Sequence, residues 1–210
     1  MPKGSEALTR ARREEIVNAC AALYETRSFR DITIKEIGAR TSFTRTSIYH
    51  YFRTKEEIFL ALLQREYEAW IVDLESMLHG QKFQSVDSFS SALAHTLERR
   101  ELLLKLMSMN HYDMEANSRI ENLAAFKTAY GGAMRAVSHC LGTCFPQLTH
   151  GDVQRFLYAF FPFLFGIYPY TAVTEKQKEA LRKAQVAYTG LSIYEIAKSM
   201  IEMLLEGLSK

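Results

Sequence analysis

The run from Thr33 to Phe52 leaves little freedom of local structure. Thr33 is followed three residues later by Glu36, the spacing at which a hydroxyl and a carboxylate cap each other's backbone amides, so a helix starts there and runs to about Arg40. Thr44 stands in the same way before a second short helix. Between them Thr41, Ser42 and Phe43 supply about the length that a helix-turn-helix corner requires. Thr54 with Glu57 repeats the capping spacing and opens a long helix immediately afterwards.

Projecting the second short helix at about 100° per residue places Arg45, Thr46, Tyr49, His50 and Arg53 on one arc. Ser47, Tyr51, Thr44, Ile48 and Phe52 fall on the opposite arc, where Ile48 and Phe52 can pack against Ile34, Ile37 and Phe43. One face holds a corner together; the other, rich in hydrogen-bond donors, is free to enter a DNA groove. The same spacing also fits two amphipathic helices at the edge of an ordinary helical bundle.

Residues 9 to 62 resemble the N-terminal domain of the tetracycline-repressor (TetR) family of bacterial transcription regulators. The resemblance is carried by Ile32-Thr33 with Ile37, by Thr44 through Ile48-Tyr49 to Phe52, and by Lys55-Glu56-Glu57-Ile58. It implies a homodimer that binds double-stranded DNA, most often as a repressor, and a C-terminal domain that receives a small-molecule effector of unknown identity. Two positions depart from the family pattern. Ser42 replaces the usual turn glycine, at a strain of about 1 kcal/mol if that position needs positive φ. Gly38 replaces a commoner alanine, weakening its helix by up to about 1 kcal/mol while permitting close helix approach.

Charge supports a nucleic-acid role once the chain is divided. The net charge of +2 over 210 residues is small, but residues 1 to 55 carry net +5 and the remainder net −3. The basic excess therefore lies with the helix-turn-helix, where phosphate would be met. The expected organisation is all-α, with a three-helix head of the homeodomain type over 1–55 and a larger helical bundle over 56–210 for ligand and dimer contacts.

Beyond the head, apolar residues recur at helical spacing and the few Pro, Gly and Ser clusters fall between such runs. The spacing predicts helices over 8–26, 55–78, 86–97, 99–109, 120–141, 152–168, 175–183 and 192–208. Apolar positions Ile193, Ile196, Met200, Met203, Leu204 and Leu208 form a stripe, and the helices near 152–168 and 192–208 are expected to make the homodimer seam. The 55–78 helix, by length, is the natural lever between effector and reader.

Other chemistries find little support. No Gly-rich phosphate loop, nucleophile elbow or standard metal spacing is present, so neither enzyme, cofactor nor metal is expected. His111, Asp113 and Glu115 alternate in a way that does not share a helical face. Cys20, Cys140 and Cys144 are expected as free thiols. The N-terminus lacks a secretory signal, pointing to the cytoplasm. Phe156 to Thr174 contains no charged residue, but Pro162, Gly166, Pro169 and the flanking Arg155 argue for a buried helix rather than a membrane span.

The expected DNA contacts are Thr33, Thr44, Arg45, Thr46, Tyr49, His50, Thr54 and Lys55. Arg45 is the best donor for guanine, and the threonines with Lys55 suit phosphate at helix starts. For a ligand pocket the candidates are Trp70, Met107, His111, Tyr112, Phe126, Tyr130, Phe160 and Phe163, aromatic and polarisable side chains of the middle helices. Each also suits plain core.

Overall fold

The computed structural model describes residues 3–80, 83–109 and 111–208, without the side chains of residues 3–5, Arg45, His111 and Asp113. The described residues form α-helices joined by turns, with no strand, as the periodicity predicts. In chain order these are α1 (Lys3–Tyr24), a 3₁₀ turn (Phe29–Asp31), α2 (Ile34–Gly38), α3 (Arg45–Ile48), α4 (Lys55–Gly80), α5 (Val86–Glu98) and α6 (Glu101–Met107). They continue with α7 (His111–Ala116), α8 (Ile120–Cys144), α9 (His150–Thr171), α10 (Glu175–Lys183) and α11 (Ile193–Leu208).

Helix starts are written in the sequence more often than at Thr33 alone. Complete capping boxes also pair Ser85 with Ser88, Thr149 with Asp152, and Thr174 with Gln177. Ser192 and Glu195 bond reciprocally in the same way before α11. Helix α7 had no sequence expectation. Pro162 and Pro169 do not interrupt α9, which runs through both. This is the one helix expected over that stretch; each proline removes one backbone donor, and the remaining turns carry the helix across.

The chain divides into two compact units. One comprises residues 1–65 with 110–129, the other 66–109 with 130–210, so α4 and α8 each supply residues to both. In the first unit Ile16, Cys20, Ile32, Ile37, Ile48, Phe52, Ile58 and Phe59 are completely buried. Phe59 takes the edges of Tyr24 and Phe29 at ring-centroid distances of 5.1 and 4.8 Å. In the second unit the core is built from Trp70, Leu74, Phe89, Leu93, Phe156, Phe160 and Phe161, with α11 laid against α5 and α9.

The buried face of α11 is Ala197, Ile201 and Leu205, spaced four residues apart, and the apolar stripe read from the sequence lies beside it. Met203 is exposed, and Ile193, Ile196, Met200, Leu204 and Leu208 are half-buried. Helix α10 buries no residue. No single helix among the described residues is long and apolar enough to cross a membrane; α9 reaches that length and composition only jointly with the charged α10, across an 85° bend.

Candidate nucleic-acid interface

Helix α2 begins as the sequence requires. The Glu36 amide donates to Thr33 Oγ1 at 3.3 Å, and the Thr33 amide donates to Glu36 Oε2 at 3.0 Å. Hydrogen bonds from Thr33, then the Arg27 guanidinium, hold the Glu36 carboxyl below the usual carboxylate range. Thr44 occupies the N-cap position of α3, but its hydroxyl caps no amide and instead lies 3.1 Å from Ser47 Oγ. The expected side-chain cap is absent because a nearer hydroxyl, at the third position, competes for it.

The corner is closed by side chains rather than by a glycine. Thr41 Oγ1 lies within hydrogen-bond reach of the Gly38 and Phe43 carbonyls, at 2.9 and 3.1 Å. The Ser42 amide donates to one Glu15 carboxylate oxygen, and its hydroxyl donates to the other at 3.0 Å. Ser42 does not need positive φ: among described non-glycine residues only Gln185, at 57°, lies there. The strain considered for Ser42 does not arise, and Glu15 of α1 fixes the turn instead.

Regular α-helix ends at Ile48, yet the Tyr51 and Phe52 amides both donate to the Ile48 carbonyl, at 2.8 and 2.9 Å. The helical arc therefore continues to Phe52. Ile48 and Phe52 are fully buried, whereas Thr46, Tyr49, His50 and Arg53 are exposed, Tyr49 at 45%. For these six residues that is the division drawn from the sequence, whereas Thr44, read on the inner arc, is exposed. Arg45 starts the helix, and its side chain lies outside the described residues.

The start of α4 is more heavily built than its capping signal suggests. The Glu57 amide donates to Thr54 Oγ1 at 3.2 Å, but the Glu57 carboxylate does not return to Thr54. It accepts instead from the Arg53 amide at 2.7 Å and from Arg119, by Nε at 2.7 Å, Nη2 at 2.9 Å and the backbone amide at 3.0 Å. Thr54 donates its own proton to the Asn117 carbonyl at 2.9 Å. Burial alone would raise the Glu57 carboxyl; the hydrogen bonds from Arg119 and from the Arg53 and Arg119 amides outweigh it and bring it down to about 2. Lys55 points its ammonium at the Phe29 and Ile32 carbonyls, 2.8 and 3.2 Å away, and over the Phe29 ring at 4.1 Å. Two of its three protons are thus used internally.

The pocket candidates fall in both units. Trp70, Met107 and Phe160 are completely buried in the second, with Tyr130 and Phe163 partly so. Trp70 donates its indole N–H to Thr96 Oγ1 at 2.9 Å, and Tyr130 meets Phe161 and Tyr67 edge-on at 5.5 and 5.7 Å. In the first unit Phe126 is buried and Tyr112 is 86% exposed; the side chain of His111 lies outside the described residues. Tyr67 and Thr96 were not singled out from sequence, since one reads as helix filler and the other as a surface residue. Arg119 was missed too, because its partner stands 62 positions away.

A tight corner between two short helices, a buried inner face and an exposed polar outer face define a helix-turn-helix head, here followed by an all-helical second part. Residues 16–62 match the family described as bacterial regulatory proteins, tetR family, and residues 64–210 match the tetracyclin repressor-like C-terminal domain. The chain belongs to the TetR family and is a transcriptional regulator of that family. No curated protein sequence matches it significantly.

Solved structures show the same fold at low identity. The fatty acid degradation regulator FadR from Bacillus halodurans aligns with a TM-score of 0.60 and 14% identity, over 94% of this chain and 96% of that one. FadR from Bacillus subtilis, in complex with stearoyl-CoA, gives 0.58 and 16%, over 92% and 98%. SmeT, the repressor of the Stenotrophomonas maltophilia multidrug efflux pump SmeDEF, gives 0.54 and 19%, over 95% and 91%.

Proposed function

We propose that the protein is a homodimeric repressor that binds a palindromic operator through residues 1–55 and is released from it by a small-molecule effector bound within 56–210. The observation that carries the reading is the two-faced recognition segment, with Ile48 and Phe52 sealed in the head and Thr46, Tyr49 and His50 presented to solvent. In this reading Arg45, Thr46, Tyr49 and His50 meet base edges and nearby phosphates, and Thr33, Thr44, Thr54 and Lys55 stand at helix starts where phosphate is favoured. Lys55 has one proton left for that purpose. The dimer seam is assigned to α9 and α11, whose Tyr158 and Met203 are 72% and 59% exposed. A two-fold seam places two readers about 34 Å apart on successive major grooves.

The effector side rests on Trp70, Met107, Tyr130, Phe160 and Phe163, an apolar, largely aromatic set with the Tyr130 phenol as a polar group. FadR with bound stearoyl-CoA is a relative of the same fold that carries a ligand. Release requires the effector to bind more tightly to the geometry that does not fit DNA.

Selection from random-sequence duplex tests the reading directly. Enrichment of a palindrome by the wild type, its loss in Thr46→Ala/Tyr49→Ala protein of unchanged helicity, and a dimeric mass in sedimentation are the expected results. A monomer that enriches no sequence refutes the operator-binding dimer. An activator with the same head would bind without effector-driven release, and an interaction protein that kept only the scaffold would enrich no sequence.

A further inference from the structure

We propose that the head contains a site for a phosphate-type oxyanion, between α1, the end of the recognition segment and the first turn of α8. A cleft of about 500 Å³ opens there, lined by Thr9, Arg13, His50, Tyr51, Arg119 and Asn122. Two guanidiniums converge in it on one neutral oxygen. Arg13 Nη1 and Arg119 Nη2 both donate to the Tyr51 carbonyl, at 3.4 and 3.1 Å.

The two arginines are not equally provided for. Arg119 is held bidentately by Glu57. Arg13, over the Phe52 ring at 4.4 Å, has no carboxylate hydrogen bond among the described residues, and its one contact is long. Burial, followed by the like charge of Arg119, lowers its pKa; Glu57 and Glu14 act in the opposite direction. A partly buried cation with one long hydrogen bond among the described residues has donors to spare for an anionic acceptor.

A second donor independently points the same way. The Asn122 side-chain amide nitrogen is buried and has no hydrogen-bond partner among the described residues. Buried donors without acceptors cost free energy, and one tetrahedral oxyanion offers acceptors to Arg13, Asn122 and the exposed His50 together. Asn122 also sits in the first turn of a 25-residue helix, whose amide end favours negative charge. Glu121, exposed at the rim, opposes an anion and limits its affinity.

The phosphate group can come from the DNA backbone beside the recognition segment or from a free phosphorylated small molecule. The first source rests on the operator-binding reading; the site itself does not. Isotope-labelled full-length protein titrated with inorganic phosphate at constant ionic strength should show saturable shifts at Arg13, His50 and Asn122. Binding should weaken about tenfold in Asn122→Asp, which puts a carboxylate at the amide position, and tighten in Glu121→Gln.

Duplex binding then separates the sources. A salt slope lower by about one in Arg13→Gln assigns the site to backbone phosphate, and an unchanged slope, with saturable phosphate binding by the wild type, assigns it to a free ligand. Absence of saturable phosphate shifts in the wild type, or equal affinity in Asn122→Asp of native helicity, overturns the proposal. Failure of the protein to bind any duplex would sink the operator reading while the phosphate titration still decides the site.

Discussion

Glu57→Gln should cost the head about 3 kcal/mol at neutral pH, and most of that cost should disappear in acid. The side chain is 1% exposed and its carboxylate accepts one hydrogen bond from the Arg53 amide and three from Arg119. A glutamine of the same shape puts an N–H where one of these donors points and leaves the Arg119 charge without its partner. Removing one member of a buried pair typically costs about 3 to 5 kcal/mol. Linkage gives the same magnitude independently. A folded-state pKa of about 2 against roughly 4.3 in an unfolded chain is worth about 3 kcal/mol.

The sign follows from the direction of the shift. Because the folded-state value is depressed, the ionised carboxylate contributes its full stability above about pH 5 and loses it as the pH falls toward about 2. Wild-type and variant stabilities should therefore converge across that window. Hydrogen exchange at the Tyr51 and Phe52 amides, both bonded to the Ile48 carbonyl, reads the head locally, alongside urea denaturation by circular dichroism. A difference below about 1 kcal/mol at pH 7, or one equally large at pH 3, would refute the assignment of Glu57 as a buried carboxylate kept ionised by Arg119.

Phe52→Ala should destabilise the head by about 3 to 5 kcal/mol, since the ring is fully buried, and thermal denaturation should show it. Thr96→Val should cost about 1 to 3 kcal/mol by stranding the Trp70 indole N–H, with a shift in the fluorescence of that single tryptophan as a second readout. Burial pushes the Cys20 and Cys140 thiols up to about 12. In native protein at pH 8, alkylation should therefore reach the less buried Cys144 first, as peptide mass mapping would reveal. Gln185→Gly should gain up to about 1 kcal/mol by relieving a side chain at φ 57°, measurable in urea melts.

Much of the head was legible because its signals are local. A capping pair three residues apart, a corner of fixed length and an apolar arc at helical period are each set by neighbours along the chain, so Thr33, Glu36, Ile48 and Phe52 stand where their spacing requires. The long α4 and the helices beyond it were likewise foreseeable from period and punctuation. Helix α7 was not, since six residues carry too little periodicity to distinguish a helix from a turn.

What the chain alone determined, then, is most of its helices and the inner face of the head, because hydrogen bonds and hydrophobic spacing within one turn act over a few residues. Tertiary structure decided which carboxylate meets which cation. Glu57 looked like a helix cap and became the partner of Arg119, Glu15 took over the corner at Ser42, and Lys55 turned inward onto carbonyls. Those pairings depend on where distant segments come to lie, and a charged side chain reports its partner only once burial has removed water as the alternative.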